Sequence, residues 1–501
     1  MLYTSTQNNN EKVTSAQAIA RGISPEGGLF VPESFPQYDG ITFETLLKLD
    51  YRGRAKKVLS DYLTDFTEEE IANCVDKAYT ADKFGSDNPA PICSVTHGDK
   101  ELHLLELWHG PTCAFKDMAL QILPHLLTCS LKKTADGKKA IILVATSGDT
   151  GKAALEGFKD VENTEIIVFY PSDGVSPMQK HQMNTTSGEN VGVCAIRGNF
   201  DDAQTGVKNI FTTDAVIEAL GKNNMMFSSA NSINWGRLLP QIVYYISAYC
   251  DMVNSGKITL GDKINIVVPT GNFGNILAAY FAYKMGMPVN KLICASNSNN
   301  VLTDFINSGN YNKNRKFITT VSPSMDILVS SNLERLLYVL SDRNSDKTSE
   351  YMKALKSEGE YTVEDSVKNA VSEMFAGGFC TEQETYDTIA ALYKDAGYLS
   401  DTHTAVAVNV YEKYVDETGD KTPAVIASTA SPYKFSRAVL SAVEGKEITE
   451  PDEFKVVDTL SSLTNTEIPE PLEATRTLED RFNTVINVSD MPAFVLDSLN
   501  I

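Results

Sequence analysis

The chain has 501 residues, enough for two or three domains, because single hydrophobic cores stop growing well below this length. Its apolar share of 42% and charged share of 22% are those of an ordinary globular protein. Lys and Arg total 44 against 65 for Asp and Glu, a formal net charge of -21 that repels polyanions and argues against a nucleic-acid partner. The amino terminus has no basic stretch followed by an apolar core, and no run approaches a membrane span, so the expectation is a cytoplasmic protein with no membrane partner. Eight scattered cysteines without a CxxC pair read as reduced thiols, and six histidines without HExxH make no case for a metal.

Residues 1–90 read as a separate N-terminal module. Gly22 to Pro32 is a breaker-rich loop running into a short apolar strand, 42–49 and 67–79 read as helices, and the polar run 82–88 before Pro89 and Pro91 reads as a linker. Residues 91–310 then read as an α/β core. Strand-length apolar runs at 140–145, 166–170, 191–196, 264–268 and 292–295 alternate with helical text, the pattern of βαβ units in a mainly parallel sheet. Residues 311–395 read as a mainly helical insert that does no chemistry. Residues 396–501 return to the α/β core through a late strand at 424–428 and end in an acidic, proline-punctuated surface wrap at 444–479.

Ligands of parallel sheets sit at the carboxyl ends of strands, so the loops there hold the candidate residues. In His109-Gly-Pro-Thr-Cys-Ala-Phe-Lys116-Asp117 a lysine lies in an apolar, turn-rich context; packed away from water, its amine would be a nucleophile or base. By itself it reads better as a lysine whose stem packs while its head reaches solvent. Thr146-Ser147-Gly148-Asp149-Thr150-Gly151 could hold a carboxylate or phosphate at a helix start, or simply cap that helix. Pro269 to Asn275 forms either a phosphate cup or a plain glycine-rich turn, and it is not GxGxxG. Asn231, Asn234 and Arg237 could fork onto a second anion, or cap a helix while the arginine pairs with a surface acid. A lysine with two or three anion-shaped loops on one sheet edge suggests an aldehyde-bearing phosphorylated cofactor, and pyridoxal phosphate fits.

The segment 109–117 resembles the cofactor-lysine segment of fold type II (tryptophan-synthase-β-like) pyridoxal-phosphate enzymes, and within them that of the threonine synthase family. The similarity continues in order through Gly27 to Pro32, Ser147 to Gly151, Gly198 to Gln204, Asn231 to Arg237, Gly271 to Asn275, Ser322 to Ile327, Ser331 to Arg335 and Asp401 to Val406. It implies two doubly wound, mainly parallel sheet domains with the cofactor between them, a small mobile part spanning roughly 130–240. It further implies Lys116 as the Schiff-base lysine, Gly271, Asn272, Phe273, Gly274 and Asn275 around the cofactor phosphate, and Thr429 at the pyridine nitrogen. Ser147, Gly148, Asp149 and Thr150 would take the substrate carboxylate, and Asn231, Asn234 and Arg237 the substrate phosphate. Ser431 stands where many relatives have His. The activity implied is conversion of O-phospho-L-homoserine and water to L-threonine and phosphate, by a monomer or homodimer acting on a small phosphorylated amino acid. A phospholyase yielding a 2-keto acid, a dehydratase, and a non-catalytic cofactor-binding regulator are the alternatives.

Overall fold

A computed structural model describes residues 1–134, 137–146, 148–173 and 175–501, without the side chains of residues 200 and 201. Three short antiparallel strands, β1 (Tyr3–Ser5), β2 (Lys12–Val13) and β3 (Phe30–Pro32), open the chain in the order β2-β1-β3. Helices follow, among them Gly40–Leu46, Tyr51–Tyr62 and Glu68–Ala78. The last starts in a capping box, in which the Thr67 hydroxyl accepts from the Glu70 N–H while the Glu70 carboxylate accepts from the Thr67 N–H. The expected linker is not irregular throughout: Ala81–Phe84 makes one helical turn, because Phe84 is buried against the module's core.

The larger sheet contains β4 (Ile92–His97), β5 (Lys100–Glu106), β10 (Ile264–Pro269), β11 (Val289–Ser296), β14 (Phe375–Phe379) and β15 (Ala424–Ser428) in the order β14-β11-β10-β15-β5-β4. Only the β4–β5 pair is antiparallel. The smaller sheet is wholly parallel: β6 (Lys139–Ala145), β7 (Thr164–Pro171), β8 (Val191–Arg197), β9 (Met225–Ser228) and β16 (Val485–Asn487), in the order β16-β8-β7-β6-β9. The central strands are covered on both faces, so β10 is buried at every position, its one polar side chain, Asn265, donating to the Asp420 carboxylate at 2.9 Å. A small ribbon pairs β12 (Asn310–Asn312) with β13 (Glu360–Thr362).

The two-sheet expectation holds, and two local expectations change. The segment 311–395 is not a detached helical insert, since it supplies β14 to the edge of the larger sheet. The carboxyl-terminal segment does not simply wrap the surface. Helix Glu453–Thr464 buries Val456, Val457 and Leu460 against Ile389, Tyr433 and Leu440, a helical apolar spacing hidden among acids. Among the described residues no helix is long and apolar enough to cross a membrane.

Candidate active site

Three neighbouring strands of the larger sheet deliver their carboxyl-terminal loops to one place. After β10 comes Gly271–Asn275, after β15 comes Thr429, and after β5 comes the loop leading to Lys116. The last two are stitched together: the Phe115 N–H donates to the Thr429 carbonyl at 2.8 Å, the Ser431 N–H donates to the Cys113 carbonyl at 3.0 Å, and Ala114 bridges Ala430. Opposite, adjacent strands β6 and β9 of the smaller sheet deliver residues 148–150 and 229–237. The site thus lies between the sheets, at strand ends, as parallel topology predicts.

Lys116 is 7% exposed. Its Nζ donates to Asp149 Oδ2 at 3.3 Å and to Ser324 Oγ at 3.2 Å, and it lies 4.9 Å from the Phe115 ring centre. Burial lowers the ammonium's pKa, Asp149 partly restores it, and the charges of Lys434 and Arg237 lower it again. Desolvation therefore wins, and the amine is easier to deprotonate than a surface lysine.

Asp149 is the hub of this cluster. Besides Lys116, it accepts from Lys434 Nζ at 3.0 Å, Gln179 Nε2 at 3.0 Å and Ser324 Oγ at 3.3 Å. Burial opposes its ionisation, but Lys434, Lys116 and the Gln179 amide outweigh burial and hold the carboxyl well below the usual range. An ionised carboxylate so engaged repels another carboxylate, so the Asp149 side chain is not what a substrate carboxylate would meet at the loop 147–150. What this turn offers an anion is the backbone N–H groups of Asp149 and Thr150 at the start of helix Asp149–Phe158, with the half-exposed Thr150 hydroxyl. Gly148 precedes them with φ +142°, and a Cβ there would lie 2.4 Å from the Gln179 side chain, so glycine is what lets Gln179 reach Asp149. Ser147 lies outside the described residues.

The second anion-shaped loop is built by close approach. A Cβ on Gly271 would lie 2.5 Å from the Ser324 carbonyl, and Phe273 adopts φ +62° to open helix Gly274–Lys284. Among the described residues the backbone N–H groups of residues 271–276 have no partner. Asn275 Oδ1 accepts from the Tyr244 and Tyr245 hydroxyls, while its buried Nδ2 has no partner. Unsatisfied donors at a helix start are of a kind that could hold a phosphate.

Arg237 lies in the third loop, 6% exposed, with a single donated bond from Nη1 to the Ala230 carbonyl at 2.8 Å. Burial pushes its pKa down to about 10, and no carboxylate pairs with it among the described residues. The surface-acid alternative thus fails, and a buried cation waits for an anion. Asn234 is different. Its amide donates to the Ile19 and Ser229 carbonyls and its oxygen accepts from the Gly236 N–H, so it shapes the loop and has no free donor for a substrate phosphate. Asn231 is half-buried. Arg335 buttresses the loop through the Ile233 carbonyl at 2.5 Å.

Four participants were not foreseen. Lys434 donates to Asp149 and, at 2.7 Å, to the Thr112 carbonyl. It follows Ser-Pro-Tyr in an apolar context like that of Lys116, and the same criterion would have found it. Ser324 and Gln179 carry no comparable signal. His403 accepts the Ser324 N–H on Nε2 at 3.2 Å and donates from Nδ1 to Asp401 at 2.9 Å, which fixes its tautomer. Asp117 is the first residue of its helical turn, and its carboxylate reaches back to the Thr112 N–H and hydroxyl at 2.8 and 2.7 Å, closing the loop.

Residues 2–79 match the family model for the threonine synthase N terminus, 89–430 that for pyridoxal-phosphate dependent enzymes, and 404–495 that for the threonine synthase C-terminal region. Threonine synthase of Saccharomyces cerevisiae is 38% identical over 491 residues, covering 92% of this chain and 93% of the yeast one. The chain belongs to the threonine synthase family. Human threonine synthase-like 1 is 39% identical over 87% of this chain, which spans only 58% of that longer protein. The crystal structure of the yeast threonine synthase superposes with a TM-score of 0.88 at 33% identity, covering 100% of this chain and 99% of that one. The pyridoxal-phosphate-bound threonine synthase of Brucella melitensis gives 0.85 at 33% identity, with 99% of each chain covered. Every participant described above from Lys116 to Lys434 falls in, or within four residues of, the region matching the pyridoxal-phosphate enzyme model.

Proposed function

We propose that the protein is a threonine synthase: with pyridoxal phosphate it converts O-phospho-L-homoserine and water to L-threonine and phosphate. The observation that carries this reading is two separate anion receptors facing one buried lysine. The loop 271–275 has unpartnered N–H groups, and Arg237 has no acid yet is close enough to Lys116 for its charge to be felt there. One receptor suits the cofactor phosphate and the other a phosphorylated substrate.

The cofactor's phosphate fits the donors of Gly271 to Asn275, including the unpartnered Asn275 Nδ2, its aldehyde fits Lys116, and its ring nitrogen suits the Thr429 hydroxyl. When bound it supplies an aldehyde that condenses with amines and a conjugated ring that accepts electrons from Cα. The residues do the rest. Lys116 Nζ, with its pKa lowered by burial, takes the proton from the substrate Cα and later carries protons at Cβ. The N–H groups of Asp149 and Thr150 and the Thr150 hydroxyl take the substrate carboxylate. Arg237, with Asn231, holds the substrate phosphate and meets its charge as it departs from Cγ. Asp149 stays ionised between two lysines, so it fixes the position of Lys116 without competing for protons. Ser324, oriented through its N–H by His403, accepts from Lys116 and donates to Asp149.

Incubation of the purified holoenzyme with O-phospho-L-homoserine, and separately with phosphothreonine, tests the reading. Threonine and phosphate in equal amounts from the first substrate are expected. A 2-keto acid as the main product would make the protein a phospholyase, and no turnover with cofactor bound would make it a binder.

A further inference from the structure

A second arrangement of reactive groups lies away from the lysine site. Cys74, on helix Glu68–Ala78, and Cys129, on helix Leu123–Thr134, face each other with their sulfur atoms 3.9 Å apart across 55 residues of sequence. All eight cysteines are free thiols, and among the described residues this is the pair whose sulfurs meet. The two are unequal. Cys74 is fully buried, whereas Cys129 is half-buried and lines a cleft of about 900 Å³ together with Lys77, Lys83, His125, Lys132 and Lys152. One thiol can meet a solute, and the other is sealed behind it.

The electrostatics separate them further. The hydrogen bond between the sulfurs lowers the Cys129 thiol and raises that of Cys74, to which burial adds. Burial and Glu70 on the facing helix oppose a Cys129 thiolate, and Lys132 and Lys133 on its own helix favour it; Lys77 favours and Glu70 opposes ionisation of Cys74. A reachable thiolate with a buried neighbouring thiol is the arrangement of an attacking and a resolving cysteine.

We infer that Cys129 and Cys74 form an oxidation site at which Cys129 reacts with a hydroperoxide and Cys74 resolves the product to a disulfide. In the first step the Cys129 thiolate attacks one peroxide oxygen. The O–O bond breaks and the departing oxygen leaves as water or alcohol after taking a proton. Cys129 becomes a sulfenic acid, oxidised by two electrons as the peroxide is reduced by two. In the second step the Cys74 sulfur attacks the Cys129 sulfur, the S–S bond forms, the S–O bond breaks, and hydroxide leaves as water with the Cys74 proton. Two thiols and one hydroperoxide thus give a disulfide, water, and a second water or an alcohol. The sulfurs need to close from 3.9 Å to about 2.05 Å, and a dithiol reverses the bond. The crosslink ties the N-terminal module to helix Leu123–Thr134 and closes a loop containing Lys116.

Exposure of the holoenzyme to a slight excess of hydrogen peroxide tests this by mass spectrometry. The expected result is a loss of about 2 Da, a non-reduced peptide joining Cys74 to Cys129, and reversal by dithiothreitol. Cys74→Ser should instead accumulate a sulfenic acid on Cys129 that dimedone traps, and in Cys129→Ser the remaining Cys74 should be oxidised at least tenfold more slowly than Cys129 is in the wild type. Oxidation of Cys129 straight to sulfinic or sulfonic acid in the wild type, a disulfide between other cysteines, or an unmodified pair would each overturn the proposal.

Discussion

Lys116 and Lys434 are held on the two oxygens of one buried carboxylate, Lys116 on Asp149 Oδ2 at 3.3 Å and Lys434 on Oδ1 at 3.0 Å. Two cations share one anion, so the cluster carries a net positive charge before any ligand arrives. Lys434 makes the loss of a proton from Lys116 easier, while Asp149 keeps both in place.

Lys434→Met removes one of these cations. The side chain is fully buried, and breaking such a pair leaves Asp149 partly uncompensated, at an expected stability loss of about 3–5 kcal/mol. The charge that lowers the Lys116 pKa also disappears. The acid limb of the pH–rate profile, where Lys116 must lose its proton, should therefore move to higher pH. Urea denaturation and initial rates between pH 6 and 10 check both expectations.

Arg237→Met should separate binding from stability. The guanidinium is buried without a carboxylate, so its removal should leave stability unchanged or raise it. Its loss should nevertheless reduce kcat/KM for O-phosphohomoserine by roughly 10²- to 10³-fold, about 3–4 kcal/mol. Inorganic phosphate should raise the melting temperature of the wild type and not that of the variant.

Gly271→Ala tests the cofactor loop. The added methyl would sit 2.5 Å from a backbone oxygen, that of Ser324, which cannot rotate away as a side chain could. Because Ser324 also contacts Lys116 and Asp149, the strain should loosen the whole receptor. Spectrophotometric titration should show pyridoxal phosphate bound at least tenfold more weakly, a loss of roughly 1.4 kcal/mol or more, while circular dichroism shows the fold retained.

His125 should make the fold acid-sensitive. Burial, with Lys83 and Lys77 nearby, pushes its pKa down to about 4, below the unfolded value of about 6.5. A lowered folded pKa gives stability that is present above the unfolded value and lost as the pH falls toward the folded one. Linkage then sets a loss of about 2 kcal/mol between pH 8 and pH 5 from this residue. His125→Gln should flatten that part of the profile in denaturation curves taken across the range.

What was legible in the sequence was local. The runs 140–145, 166–170, 191–196, 264–268 and 292–295 all fall within strands, because an apolar run bounded by turns has few other ways to be buried. Lys116 and the loop 271–275 carried their chemistry in a few adjacent residues. Ser324 meets Asp149 from 175 residues away and His403 meets Ser324 from 79, and no period or spacing encodes such meetings. Asn234 shows the reverse: a polar residue beside a site, whose three hydrogen bonds to the backbone are visible only once the loop is folded.

The order of strands also bears on how the protein is made. The larger sheet sets β15 between β10 and β5, so Trp108, just past β5, meets Ser428 of β15 across 320 residues of chain. At about 5–20 residues per second a ribosome needs roughly 16–64 s to cover that interval. During that time the β15-facing edge of β5 is unpaired in the nascent chain, and that of β10 from the point at which β10 is made. The smaller sheet waits similarly for β16, whose neighbour β8 lies about 290 residues earlier. Neither sheet can therefore close until its late strand has emerged, and the nascent chain before then, with its strand edges unpaired, is the state most exposed to aggregation.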